Sequence, residues 1–439
     1  MITFVPPPQL LDSPRGRQWP AYPGPPRTIR VDAPPARPDV VIVGAGPAGL
    51  AVASALWHRG AHDVALLDRT GPPCARFFDR IDGLDQRVLR SPYEHHPGVE
   101  GHRDCELLDF ARLHWSWLSP VERREIRMAQ AGHRSVVPVD VFAAFCHHVA
   151  TVHGVYQRTW HANVRELRPD AQGVHVRTDT AELVARFVVL CLGEERAPAP
   201  AGWFADGRPP PCVSHWDEPV PADADSIVVV GAGLTSAHLI TQALADGRRV
   251  DWVMRTQERY QCSDVNASFF RAEGRARFDG VPWTERLALM ARERRASVMF
   301  EFQPGLRDAE SNGTLTVHRG RAVASIDDEA TVRFTDGASL RGDHVVLALG
   351  TTPSIGADLL APGVLGARDG WPALDERTLA YRNAPRVFAV GASACMVLGP
   401  AARNIDGHRV ATARVAATIA AGLGAPVSDQ DDWGEDVHG

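Results

Sequence analysis

Hydrophobic positions along the chain fall into short β-branched runs that end in glycine or a charged residue, separated by stretches with helical spacing. The first run, Val40-Val41-Ile42-Val43, contains no polar position, as expected of a parallel strand buried on both faces. It passes into Gly44-Ala45-Gly46-Pro47-Ala48-Gly49 and an Ala-rich helix from Leu50 to Leu56. A second run, Val64-Ala65-Leu66-Leu67, ends on Asp68. The same pattern returns at Ser226, where Ile227 to Val230 leads into Gly231-Ala232-Gly233-Leu234-Thr235-Ser236-Ala237, a helix through Leu244, and the run Val250 to Met254. The two copies align without a gap. Gly44, Gly46, Gly49 and Gly60 fall on Gly231, Gly233, Ser236 and Gly247, and Asp68 falls on Arg255. The predicted fold class is α/β, with two Rossmann-like dinucleotide-binding domains.

Each position in the unit has a physical task. Gly44 makes a tight turn, Gly46 lets a pyrophosphate approach the backbone, and Gly49 lets the helix pack on the strand. The N–H groups and partial positive charge at the helix start, by Pro47 and Ala48, face the phosphates. Asp68 stands where a carboxylate takes both hydroxyls of a ribose, with Arg69 beside it. In the second copy Gly231, Gly233, Leu234, Thr235 and Ser236 repeat the phosphate cradle. An arginine at 255 suits a 2′-phosphate where an acid suits a free diol. The first site therefore reads as an FAD site, and the second as an NADPH site in preference to NADH. Arg248, Arg249 and Arg259 add positive charge nearby.

Between and after the motifs the period shortens to two. Trp160 to Val164, Val174 to Thr178 and Phe187 to Leu192 read as strands, the last returning to the cofactor at Gly193. Leu315 to Val317, Ala322 to Ile326 and Thr331 to Phe334 read as a second antiparallel set before His344 to Leu349 and Gly350. Val387 to Val390 ends at Gly391, and an Ala/Val-rich helix closes the chain from about Ile405 to Ala421.

This order resembles the flavoproteins with two dinucleotide-binding domains, over nearly all of Val40 to Gly422. The resemblance implies an NAD(P)H domain inserted in an FAD domain. The expected organisation is a Pro-rich N-terminal arm (1–38), a first FAD part (39–215), the NAD(P)H domain (216–340), a second FAD part (341–425) and an acidic tail (426–439). It also implies cofactor contacts at Val164, Gly193, Gly350, Gly391 and Ala402. The family carries Asp after the last of these strand-ending glycines; this chain has Ala392-Ser393-Ala394, so Ser393 or a backbone N–H must stand in. Asn404 reads as the N-cap of the closing helix, whose start faces the flavin by analogy.

Within that group the chain is most similar to the class B flavoprotein monooxygenases, which include lysine and ornithine N-hydroxylases, flavin-containing monooxygenases and Baeyer–Villiger enzymes. Leu84 to Pro92 loosely resembles the flavin-edge segment of the N-hydroxylases and places Gln86 and Arg90 among the candidate catalytic residues. His95 and His96, on the Pro/Gly-bounded loop that follows, are candidates for binding a carboxylate or moving protons. The Baeyer–Villiger fingerprint is broken, because Phe204, Gly207, His215 and Trp216 have the wrong spacing. The implied reaction is transfer of one oxygen from a flavin C4a-hydroperoxide to a small nucleophile, an amine first. Sulfur or carbonyl oxygenation, an NADPH-dependent flavin reductase and a non-catalytic cofactor-binding protein stay open.

The resemblance implies a small-molecule substrate and O2 as partners, and composition argues against others. A net charge of -6 offers no basic field for nucleic acid and no polybasic anchor for a membrane. No apolar run is long enough to span a bilayer. Seven widely spaced cysteines, none in a CxxC pair, argue against a disulfide scaffold, a redox couple and a metal site, and fit a reducing cytoplasm. A homo-oligomer is left open.

Overall fold

The computed structural model describes residues 11–17, 30–98 and 106–424. Its centre is two parallel sheets of the same design. In the first, Val40–Val43 lies between Val64–Asp68 and Phe187–Leu190, flanked by Thr159–His161 on one side and by Ala384–Ala389 with Ala380–Tyr381 on the other. In the second, Ser226–Val230 lies between Arg249–Met254 and His344–Leu347, flanked by Leu315–Arg319 and Val213–His215. Each sheet follows one chain path: strand, helix, strand, edge strand, antiparallel meander, return strand. The meanders are Val164–Pro169, Val174–Thr178 and Glu182–Ala185 in the first copy, and Val323–Ile326, Thr331–Phe334 and Ser339–Arg341 in the second.

The central strands are nearly all apolar because both faces are covered: in the second sheet Val228, Val230 and Leu347 pack on Ile326, Val332 and Phe334 of the meander, and Ile227 and Val229 pack on the helix side. Val40, Val41 and Ile42 are completely buried, each worth about 1.5–3 kcal/mol of burial. The helix Pro47–His58 packs against the closing helix Ile405–Leu423, so the end of the chain completes the first domain.

Three expectations are corrected. The second sheet takes in Val213–His215 and His344–Leu347, both outside the expected 216–340 segment. The run beginning at Leu315 is a parallel edge strand of that sheet, not part of the antiparallel meander. Trp160 to Val164 divides into two strands of different sheets. In the last two cases the local alternation holds, but a partner strand far away in sequence decides the sheet.

Parts of the N-terminal arm lie along the first domain. Arg17 pairs with buried Glu122 at 2.6 Å, and Arg30 sits over Trp160 at 4.7 Å. The acidic tail and Cys105 lie outside the described residues. No described helix is long and apolar enough to cross a membrane, and no described cluster of His, Cys, Asp or Glu could hold a metal.

Candidate functional site

The first motif folds as its spacing requires. Gly44 has φ 97°, and a Cβ there would lie 2.4 Å from the Cys191 carbonyl oxygen. A Cβ on Gly49 would lie 2.0 Å from the Gly44 oxygen, so the helix can approach the turn only with glycine at that place. Space around Gly46 is open, and no side chain caps the helix that follows. Its first N–H groups therefore stay available to an anion. Asp68 ends the second strand. One carboxylate oxygen accepts the Ala45 N–H at 2.7 Å; the other accepts the Thr70 N–H at 2.8 Å and its hydroxyl at 2.5 Å. The acid is thus held at the mouth of the glycine turn, with lone pairs to spare for a ribose. Arg69 is drawn to Glu195 at 2.7 Å instead. Val164 is buried where the meander begins.

The second motif repeats the turn with a different filling. A Cβ on Gly231 would lie 2.2 Å from the Ala348 oxygen, as Gly44 does against Cys191. Gly233 is open, and the helix Leu234–Ala245 starts without a side-chain cap. Where the first motif has Gly49, Ser236 is fully buried and its hydroxyl has no hydrogen-bond partner among the described residues. Gly231, Gly233, Leu234, Thr235 and exposed Arg255 line a cleft of about 1530 Å³. Arg259 joins them, whereas Arg248 turns to the Pro221 carbonyl.

Arg90, His95, Gly350, Arg403 and Asn404 line the same cleft. Gly193 and Gly350 precede Glu194–Arg196 and Thr351–Pro353, which pair antiparallel where the chain crosses between domains. Arg403 grips Glu194 through two hydrogen bonds of 2.5 and 2.8 Å. Burial pushes the Glu194 carboxyl up, but Arg403, Thr351 and Arg294 together outweigh burial and hold it below the usual carboxylate range. Asn404 begins the closing helix but does not cap it with its side chain. Its amide donates to Asp264 at 2.9 Å, and its oxygen accepts from Arg294 at 2.5 Å. Arg294 also pairs with Asp264 at 2.7 Å. Burial raises the Asp264 carboxyl, and Arg294 and Arg90 together hold it below its ordinary value. This leaves the helix start free of a cap beside a rigid ionic cluster.

The remaining candidates divide. His95 faces the cleft with its ring 4.6 Å from Phe270. His96 points the opposite way, fully buried, and its Nδ1 accepts the Gly98 N–H at 3.0 Å. Gln86 turns back on its own strand, donating to the Val88 carbonyl at 2.9 Å, and does not line the cleft. Arg90 reaches the cleft, yet it is committed to the Ser297 hydroxyl at 2.9 Å and the Gln261 carbonyl at 3.0 Å; burial lowers its pKa. Phe204 and Trp216 are core residues of the second domain. Ser393 and Ala402 are buried beside Gly391 and the closing helix. Sequence reading missed Asp264, Arg294 and Glu194, which carry no motif and meet only in the folded chain.

Known proteins bear on this geometry at three points. Residues 41–195 match the model of a family described as FAD-NAD(P)-binding. The FAD-containing monooxygenase EthA of Mycobacterium tuberculosis is 27% identical over 215 residues, which is 47% of this chain and 39% of EthA. The chain thus matches well under half the length of that relative. Among solved structures, the ornithine N-hydroxylase KtzI of Kutzneria sp. 744, solved with reduced FAD, NADP+ and L-ornithine, superposes with a TM-score of 0.69 at 17% identity, over 88% of this chain and 100% of that one. The bacillithiol disulfide reductase Bdr of Bacillus cereus superposes with a TM-score of 0.60 at 19% identity, over 88% of this chain and 99% of that one. The fold is that of flavoproteins with two dinucleotide-binding domains. It is shared by enzymes of different chemistry, so the site has to discriminate.

Proposed function

We propose that the chain holds FAD on the first motif and NADPH on the second, and uses them to transfer one oxygen atom from O2 to a small amine. The observation that carries this reading is the exchange of Asp68 for Arg255 at the same place in two otherwise equivalent units. The residues present fit both groups. Gly46 and the uncapped helix at Pro47 leave room and donors for the FAD pyrophosphate, while Asp68 remains able to accept from its ribose. Gly233, Thr235 and Arg255 offer the same to NADPH, with a guanidinium for its 2′-phosphate. When bound, the flavin supplies the electron transfer and oxygen activation that no side chain here can supply.

The chain's own residues bind, orient and exclude. Arg403, Glu194, Asn404, Asp264 and Arg294 fix the start of the closing helix, and its uncapped N–H groups would favour negative charge on a flavin held beside it. His95, backed by Phe270, is the cleft residue placed to move a proton. A disulfide reduction is disfavoured because Cys262 is the only described cysteine lining the cleft.

The test is a balance of NADPH, labelled O2 and product across a panel of primary amines that includes L-ornithine and cadaverine. The proposal expects label in a hydroxylated product, with one NADPH consumed per oxygen transferred. NADPH consumption that requires an artificial acceptor, with peroxide alone when O2 is the oxidant, selects a reductase. No consumption selects a binding protein.

A further inference from the structure

A second cavity, of about 540 Å³, lies against the crossing strand Glu194–Arg196. That is within the size range of small-molecule sites. The helix Ala75–Gly83 supplies Arg76, Asp79 and Arg80 to it, the crossing strand supplies Glu195 and Arg196, and Asp217 comes from the chain just after Val213–His215. Apart from Gly83, every residue in this lining is charged. None of them lines the larger cleft or belongs to either glycine motif.

The lining charges cancel in pairs, with two exceptions. Glu195 takes Arg76 at 2.5 Å and Arg69 at 2.7 Å, and Asp217 takes Arg196 at 2.6 Å. Arg80 and Asp79 make no ion pair among the described residues. Arg80 is half-buried, donates from Nη1 to the Glu194 carbonyl at 3.1 Å and lies over the Trp216 ring at 5.3 Å. Burial lowers its pKa, and Arg76 and Arg196 add to that effect while Asp217 and Glu195 oppose it. Its guanidinium carries more N–H groups than this one bond uses, in a fork that matches an oxyanion. Asp79 is exposed. Consecutive residues of a helix diverge by about 100°, so Asp79 and Arg80 reach the cavity apart and do not pair with each other.

We infer that this cavity binds a small polar α-amino acid as a zwitterion, with its carboxylate on Arg80 and its ammonium on Asp79. An anion alone would bring a second negative charge to Asp79, and a cation alone would meet Arg80 with nothing to neutralise it. No apolar side chain lines the cavity, so an apolar ligand side chain would gain nothing by entering it.

The experiment titrates the purified full-length protein, saturated with FAD, with glycine, L-serine, L-asparagine and L-glutamine, and separately with acetate and ethylamine, by saturation-transfer NMR. Wild type, Arg80→Gln and Asp79→Asn are compared, with the thermal midpoint recorded for each. At least one of the four amino acids should bind, and acetate and ethylamine should each bind it about tenfold more weakly or not at all. Arg80→Gln should weaken the amino acid about tenfold or more, and Asp79→Asn, at an exposed position, about threefold. Asp79→Asn should keep the wild-type midpoint, so it decides the matter where Arg80→Gln does not fold. Binding of none of the four overturns the inference, as does acetate binding as tightly as the amino acid. Equal binding in wild type and both variants places the ligand elsewhere and also overturns it.

Discussion

The two dinucleotide units share one path and one set of backbone constraints, and differ at two side chains. Gly44 and Gly231 both face the carbonyl of the returning strand at distances no Cβ tolerates. That part of the unit belongs to the fold and says nothing about which nucleotide binds. The divergence lies at the third glycine and at the end of the second strand. Gly49 lies against the Gly44 oxygen, whereas Ser236 fits the corresponding place with its hydroxyl 3.0 Å from where a Cβ on Gly231 would stand. In the first unit the acid, Asp68, is held by the chain's own backbone and Thr70, and in the second the guanidinium of Arg255 stands exposed on a cleft. That contrast suits a resident cofactor and an exchanging one.

The most severe way to break the comparison is to exchange the third residue. Gly49→Ser should cost more than about 4 kcal/mol, because its Cβ meets backbone rather than a movable side chain. The variant should emerge colourless or insoluble. The reverse change, Ser236→Gly, should stay within about 1 kcal/mol of wild type by thermal unfolding. Equal losses would mean that the two turns are not built differently.

Exchanging the charge sharpens the assignment of the two ligands. Asp68→Ala should weaken FAD retention by about 1.5–3 kcal/mol, read by FAD titration. Arg255→Ala should raise the NADPH KM about tenfold or more and leave the NADH KM unchanged, since only NADPH carries the phosphate. A matching rise for both nucleotides would make Arg255 structural.

A smaller effect follows from His238 in the second domain, whose ring packs 4.7 Å from Phe302 and whose pKa burial lowers to about 4. The unfolded chain takes up a proton below about pH 6.5, and the folded domain does not until about pH 4. Stability should therefore be complete above that window and fall through it as the pH drops. His238→Leu should remove about one proton from the slope of unfolding free energy against pH across this window. An unchanged slope would contradict a buried neutral imidazole. Gln86→Ala should have the least effect, within about twofold in turnover, because its amide serves the Val88 carbonyl.

Both units, their order and both nucleotide-binding turns were legible in the sequence, because short-range sterics dictate them. What was not legible came from distance along the chain. Leu315 reads like a meander strand, but its partner Val250 makes it parallel. Asn404 reads as a cap, and Asp264 with Arg294, far upstream, draws its side chain away. Adjacent His95 and His96 were equal candidates until the loop fixed one in the cleft and the other in the core. Gln86 was placed by a loose likeness alone, and a local hydrogen bond outweighed it.

We propose that one unit holds the flavin and that the other brings the hydride donor to it. It is tested most directly by anaerobic titration of the purified, yellow protein with NADPH and, separately, with NADH. NADPH should bleach the visible flavin band quickly and completely, and NADH should do so far more slowly in wild type and no more slowly in Arg255→Ala. A protein that carries no flavin, or one whose flavin NADPH does not reduce, would contradict it.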